Sequence, residues 1–281
     1  MSAQLLEGKP LAEKIKEAIK QEIQSLSRRP VLASVMVGEN AGAESYVKSQ
    51  KKAAENLAID YQFHKLDAAT TEDSLIEFIR KLNNDKGVNG IIIQMPLPAH
   101  IDYKKISNFI SPGKDIEGMH PENIGKVLFG KAKIIPCTPA AVMELVQAAG
   151  VDLYGKEVVV VGHSEIVGKP LALLLLEKFA TVTVCHIGTS KAGRLEEHVR
   201  KAEVLIVAVG RAGLIKGEWV KEGAVVIDVG INRVGDKIVG DVEFEGASQR
   251  ASYITPVPGG VGPLTVTMLM RNLVEAAKLQ R

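Results

Sequence analysis

Four short runs of aliphatic, mostly β-branched residues restrict this chain more than any other feature: "EVVVVG" (157–162), "ATVTVC" (180–185), "VLIVAVG" (204–210) and "AVVIDVG" (224–230). They show little polar alternation, so strands made from them are covered on both faces, which is the pattern of parallel strands separated by helices. Helical segments are predicted between them, starting at Lys169, at about Ala192 and near Trp219. Four such strands with intervening helices predict a doubly wound nucleotide-binding sheet.

The N-terminal half repeats the alternation. Leu11, Ile15, Ile19, Ile23 and Leu26 recur at helical spacing and end before Pro30. Then follow "VLASVMV" (31–37), the polar helix "SYVKSQKKAAENL" (45–57), "YQFHKL" (61–66), a helix with Leu75, Ile76, Ile79 and Leu82, and "GIIIQMPLP" (90–98). Thr70 with Asp73 has capping-box spacing, and Thr138 before Pro139 has the form of a helix cap followed by its first residue. Proline and glycine punctuation from Pro96 to Pro139 marks a boundary. The expected class is therefore α/β with two domains: residues 1–138, completed by a terminal helix over 263–281, and residues 139–262. A length of 281 residues agrees with two domains.

Composition narrows the partners. A net charge of +2 without blocks of either sign gives no electrostatic reason to expect nucleic acid or an anionic membrane, leaving a small molecule as the expected partner. Cys137 and Cys185 are too few and too isolated for a disulfide framework or a zinc site, and His64, His100, His120, His186 and His198 show no metal-ligand spacing, so no metal is expected. "LALLLL" (171–176) is far too short to span a bilayer, and no basic-then-apolar leader opens the sequence; the expected location is the cytoplasm.

"VVVVGHSEIVGKP" puts Gly162 at a strand end and Gly168 at a helix start. A tight turn into a helix N-terminus offers backbone N–H groups and a positive dipole end to a pyrophosphate, although the spacing departs from the G-x-G-x-x-G fingerprint and also suits a plain strand-to-helix turn. Glycines closing "VLIVAVG" and "AVVIDVG" favour cofactor binding. Asp228 reads as a structural acid at a strand end, and Trp219 as core.

"IIIQMPLP", "KDIEGMHPENIG", "GHSEIVGKP", "VIDVGIN" and "YITPVPGGVGPLTV", in this order, resemble the methylenetetrahydrofolate dehydrogenase/methenyltetrahydrofolate cyclohydrolase family from about Leu6 to the C-terminal helix. The resemblance implies a folate-binding N-terminal domain completed by the last helix, a Rossmann-like NAD(P) domain, a cleft between them and a homodimer. It implies cofactor contacts at Gly162, His163, Ser164, Ile166, Val167, Gly168, Ile187, Gly210 and Ile231, and folate contacts at Pro258, Gly259 and Gly262. The family's Y-x-x-x-K tyrosine matches Tyr46 and its V-Q-L-P-L-P glutamine matches Gln94. Two positions depart: Gln50 stands where the family has its catalytic lysine, and Glu117 where it has the pterin-binding aspartate, after Asp115.

Residues sharing a helical face with Gln50 are Tyr46, Val47, Ala53 and Ala54, none basic, and Lys48, Lys51 and Lys52 read as a solvated face. The implied first reaction, hydride removal from methylenetetrahydrofolate, needs alignment and tolerance of positive charge. The second, hydrolysis of the methenyl cation, needs protons moved, which a glutamine amide cannot do. The expectation is dehydrogenase activity with weak or absent cyclohydrolase activity; the alternatives are a fully bifunctional enzyme or a catalytically silent folate- or nucleotide-binding paralogue. Exchanging an ammonium for an amide beside an ionised acid takes the formal local charge from zero to −1. It also removes a repulsion of roughly 3 kcal/mol on a cation about 5 Å away, as an upper bound.

The cofactor is NADP or NAD. His163 stands where many members have arginine, and apolar Ile187 offers nothing to a 2′-phosphate, which tilts the choice to NAD. No acid ends "ATVTVC" to hold a ribose hydroxyl, and Ser164, Thr189 and Arg194 remain as alternatives.

Overall fold

A computed structural model describes residues 2–280; Met1 and Arg281, at the ends of the expected first domain and terminal helix, lie outside the described residues. In chain order the N-terminal elements are β1 (Gln4–Leu5), α1 (Gly8–Gln24), β2 (Val31–Val37), α2 (Ala41–Asn56), β3 (Asp60–Leu66), α3 (Glu72–Asn84), β4 (Gly90–Ile93), α4 (Tyr103–Ser107) and α5 (Pro121–Leu128). Then come α6 (Cys137–Ala148), β5 (Glu157–Val161), α7 (Gly168–Leu176), β6 (Thr181–Cys185), α8 (Ile187–Lys191), α9 (Leu195–Val199) and β7 (Val204–Val207). The chain closes with a 3-10 turn at Gly217–Trp219, β8 (Val225–Asp228), β9 (Asn232–Val234), β10 (Lys237–Val239), α10 (Phe244–Ser248), β11 (Tyr253–Ile254) and α11 (Val261–Leu279). Two compact units result, Lys14–Cys137 with Val266–Arg281, and Met1–Glu13 with Thr138–Thr265.

The first unit holds a parallel sheet of order β3-β2-β4. Central β2 is apolar apart from Ser34 and buried on both faces; on one of them Ala33, Val35 and Val37 join Ile91 and Ile93 of β4 and Leu75, Ile76, Ile79 and Leu82 of α3 in one core. Each large side chain fully buried there contributes about 1.5–3 kcal/mol. α3 is capped by Thr71, whose hydroxyl accepts from the Ser74 N–H, and not by the Thr70–Asp73 pair that spacing suggested. α11 is tied into this unit by Asn272, whose amide donates to the carbonyls of Ile116 at 2.9 Å and Ile135 at 2.7 Å, and by Lys278, which pairs with Glu22.

The second unit is an all-parallel sheet of order β1-β11-β8-β7-β5-β6. After β5 the chain moves out to β6 and returns on the other side of β5 as β7, so the strand order reverses there. Ligands bind at such reversals, outside the carboxyl ends of the strands. Residues 1–13, expected with the N-terminal domain, group here instead because β1 pairs with β11. The helix expected from about Ala192 is α9, starting at Leu195 after Gly193 (φ +70°), and a further short helix, α8, precedes it. α6 starts at Cys137, so Thr138 lies inside the helix and is not its cap. Among the described residues no helix is long and apolar enough to cross a membrane.

Candidate active site and nucleotide site

α2 is a regular helix whose N-cap, Asn40, accepts from the Ala43 N–H at 3.0 Å. Its buried face is Ala43, Val47, Gln50, Ala53 and Ala54, so Gln50 is the one polar group on it. Lys48, Lys51 and Lys52 are exposed. Gln50 is 0% exposed, and its carbonyl oxygen accepts from the Gln94 amide at 2.9 Å and the Tyr61 hydroxyl at 3.0 Å. Gln94 gives its other N–H to Ser34 Oγ at 3.0 Å. The Gln50 amide nitrogen is buried without a partner. An orphan donor of this kind costs about 1–3 kcal/mol unless something supplies an acceptor.

Tyr46 and Tyr61 flank this amide, and Glu117 acts on Tyr46. Tyr46, one helical turn before Gln50, is 37% exposed as a residue. Its hydroxyl is nevertheless pushed above the usual phenol range, by burial first and then by Cys137 and Glu117, while the Gln50 amide acts in the opposite sense. Burial also raises Tyr61, to about 12. Glu117 is pushed up to about 8, by burial first and the neighbouring Asp115 second; the Tyr103 hydroxyl, donating at 3.4 Å, offsets this in part. Asp115 is held by the His120 N–H at 2.7 Å and the Asn123 amide at 2.9 Å, which gives it a structural task at the start of α5. The formal charge of −1 reckoned for an ionised acid here is therefore corrected. A carboxyl titrating near 8 keeps its proton at neutral pH until a cation is brought to it.

In the other unit, Gly162 closes β5 with φ +126°, and a Cβ there would lie 2.3 Å from the Ala208 oxygen; one on Gly168 would lie 2.0 Å from the Gly162 oxygen. These contacts bring the start of α7 tightly against the end of β5, beside β7, at the reversal in strand order. Ser164 Oγ accepts from the Val167 N–H at 3.1 Å and shapes the turn. Beside it is a cavity of about 360 Å³ whose lining includes polar His163, Ser164, His186, Ser190 and Arg211, the Gly162 backbone, and apolar Ile187, Leu195, Val209 and Leu214. The His163 and His186 rings meet edge to face at 5.1 Å. Apolar and polar lining residues beside a glycine turn fit a pyridine nucleotide.

Of the residues singled out in the sequence, Tyr46, Gln50, Gln94 and Glu117 fall in one unit, and Gly162, His163, Ser164 and Ile187 line one cavity in the other. Ile166 (56% exposed), Val167, Gly168, Gly210 and Ile231 (67% exposed) do not line that cavity. Pro258 and Gly259 lie on the segment before α11 and Gly262 in its first turn, where nothing stands within 4 Å of a Cβ placed on it. Sequence reasoning missed Ser34, Tyr61 and Tyr103. Ser34 carried a usable signal, being the one hydroxyl inside "VLASVMV"; Tyr61 and Tyr103 reach the site from separate elements and carried none.

An all-parallel sheet with a glycine turn at its reversal, together with a second α/β unit holding buried polar side chains, defines a two-domain α/β protein with a Rossmann-like NAD(P)-binding domain. The chain belongs to the tetrahydrofolate dehydrogenase/cyclohydrolase family: the catalytic-domain model matches residues 6–117 and the NAD(P)-binding-domain model residues 136–281. It is 51% identical over 284 residues to the bifunctional protein FolD of Acetivibrio thermocellus, a match covering 100% of this chain and 99% of that one. The crystal structure of the bifunctional FolD methylenetetrahydrofolate dehydrogenase/cyclohydrolase from Campylobacter jejuni superposes with a TM-score of 0.96 at 45% identity, covering 100% of both chains. The Trypanosoma brucei enzyme, complexed with NADP and an inhibitor, gives 0.93 at 38% identity over 99% of this chain and 98% of that one.

Proposed function

We propose that the protein oxidises 5,10-methylenetetrahydrofolate to 5,10-methenyltetrahydrofolate, passing the hydride to a pyridine nucleotide, and hydrolyses the methenyl product slowly or not at all. The observation that carries this reading is the buried Gln50 amide, with its oxygen held by Gln94 and Tyr61 and its nitrogen, which acts on the Tyr46 hydroxyl, without a well-formed hydrogen bond. The nicotinamide, when bound, accepts the hydride. The protein's own groups then have to orient the folate and tolerate the cation left on its one-carbon bridge. The unmet Gln50 donor supplies an orienting hydrogen bond, Tyr46 a surface for the folate rings, and Glu117 a carboxyl able to ionise as the cation forms. Hydrolysis makes a different demand, since water must lose a proton as it adds and a ring nitrogen must gain one as the C–N bond opens. An amide cannot exchange protons in this range.

The bifunctional naming of the FolD relatives favours a second reading, in which hydrolysis is retained and Glu117, titrating near 8, moves the proton that an amine would otherwise move. Lys51 does not serve this reading, since its side chain is exposed on another face of α2. Stopped assays of methenyltetrahydrofolate loss across pH separate the two: the first requires the spontaneous rate at every pH, the second a profile with an inflection near 8.

NAD is the proposed acceptor in preference to NADP, because the apolar Ile187 occupies the rim of the cavity with 61% of its surface exposed and brings no donor to a 2′-phosphate. The proposed assembly is a homodimer. β3 is an edge strand whose Gln62, Phe63 and Lys65 are exposed, and an unpaired strand edge is a template for a second copy. Sedimentation of the protein and of Phe63→Glu tests it, with a dimer expected for the first and a monomer for the second. The location that fits two buried free thiols, Cys137 and Cys185, is the cytoplasm.

A further inference from the structure

Asp241, two residues after β10, is 0% exposed, and no lysine or arginine pairs with it among the described residues. Its carboxylate instead collects four uncharged donors. Oδ2 accepts from the Val209 N–H at 2.7 Å and the Gly210 N–H at 2.9 Å; Oδ1 accepts from the Arg211 N–H at 2.7 Å and the Asn232 side-chain amide at 2.8 Å. Three successive backbone N–H groups converging on one point after a strand make a concavity for an anion. Here the anion belongs to the protein.

We propose that Asp241 is the positioning residue for the nucleotide site, a built-in anion that sets the two loops following β7 and β8 before any cofactor arrives. The first loop places Val209 and Arg211 on the wall of the 360 Å³ cavity, with Gly210 at φ +66° between them. The second loop, residues 229–232, is reached through Asn232. Its Gly230 passes so close that a Cβ there would lie 2.3 Å from the Asp241 carboxyl carbon. Asp241 is itself fixed from behind, since its N–H donates to Asp228 Oδ1 at 3.0 Å and the next N–H, of Val242, to Asp228 Oδ2 at 2.9 Å. Because the N–H groups of residues 209–211 are spent on Asp241, they are closed to the cofactor's pyrophosphate, which is left to the turn at residues 162–168. A pair of buried carboxylates thus joins loops that are far apart in sequence to one cavity wall.

The inference rests on the reading of that cavity as the nucleotide site. The test is NADH affinity by fluorescence alongside the KM for methylenetetrahydrofolate, in the full-length protein and in Asp241→Ala, with and without added sodium formate. Removing the carboxylate leaves all four donors unpaired and the two loops unset, which should weaken NADH binding roughly 10- to 100-fold while the folate KM stays within about twofold. Formate should restore much of the affinity by re-entering the vacated site, and formamide should not; a residue needed only for fold stability would show neither the selectivity nor the rescue. Unchanged NADH affinity in the folded variant, or an equal loss for both ligands, would overturn the proposal. Should Asp241→Ala not fold, Asn232→Ala removes a single donor and should weaken NADH binding about threefold, a change below twofold overturning the proposal. An unmodified protein that bound no NADH would overturn the reading of the cavity itself.

Discussion

Gln94 donates an amide hydrogen to the carbonyl oxygen of Gln50 at 2.9 Å, and this bond decides which end of Gln50 is left without a partner. With the oxygen also taken by Tyr61, only the N–H end remains for a ligand. A lysine at position 50 would reverse the relationship, because an ammonium only donates and Gln94 would have to turn its oxygen towards it. Gln50→Lys should therefore gain methenyltetrahydrofolate hydrolysis, by about 100-fold over the unmodified protein if the amine is the missing general acid–base. Single-turnover absorbance assays read the gain directly. Combining it with Gln94→Leu should remove most of it.

Glu117 sets the expected pH dependence. Its folded pKa, raised to about 8 from the ordinary 4.5, means that the fold disfavours the ionised form. The sign follows: the penalty is fully present above about pH 8, and stability from this group rises as pH falls from there towards 4.5. Catalysis should run the other way, since an ionised carboxylate favours the developing cation, so kcat/KM for oxidation should rise through about pH 8. In Glu117→Gln both trends should flatten, as measured by thermal melts and initial rates across pH.

Ile187 should govern the choice of nucleotide. Arginine there would bring a fork of donors to the rim of the cavity, worth about 1.5–3 kcal/mol to a 2′-phosphate, or roughly 10- to 100-fold. Ile187→Arg should lower the KM for NADP by that factor with little effect on NAD, checked by initial rates with each nucleotide.

Gly168 tests the turn. A methyl group there would lie 2.0 Å from the Gly162 oxygen, inside backbone that cannot move without separating α7 from β5. Gly168→Ala should lose about 2 kcal/mol or more of stability, and nucleotide affinity with it. Gly262→Ala, which meets nothing within 4 Å, is the control expected to cost little in stability.

What the sequence revealed depended on how far each signal extended along the chain. β5, β7 and β8 were legible because four consecutive buried positions leave a continuous apolar run, and β6, at the sheet edge with only Cys185 buried, because its residues are mostly β-branched. β1 and β11 were not, because two residues carry no periodicity and only pairing with each other and with β8 makes them strands. α8 went unread because the cap at its start is an unusual one: the His186 imidazole accepts from the Gly188 N–H at 3.1 Å. At the site, Tyr46 and Gln50 were visible as one helical turn, while Tyr61 joins them from β3 and Asp241 reaches residues 209–211 across about thirty residues of chain. The protonation of Glu117 was misjudged because charge counting carries no information on burial.

The central claim is that the Gln50 amide orients a folate but moves no proton, and paired kinetics on one preparation of the unmodified protein test it most directly. Oxidation of methylenetetrahydrofolate by NAD or NADP should proceed readily, while methenyltetrahydrofolate disappears at the rate seen in buffer alone. Hydrolysis accelerated about 100-fold or more over buffer by the same preparation would contradict the claim.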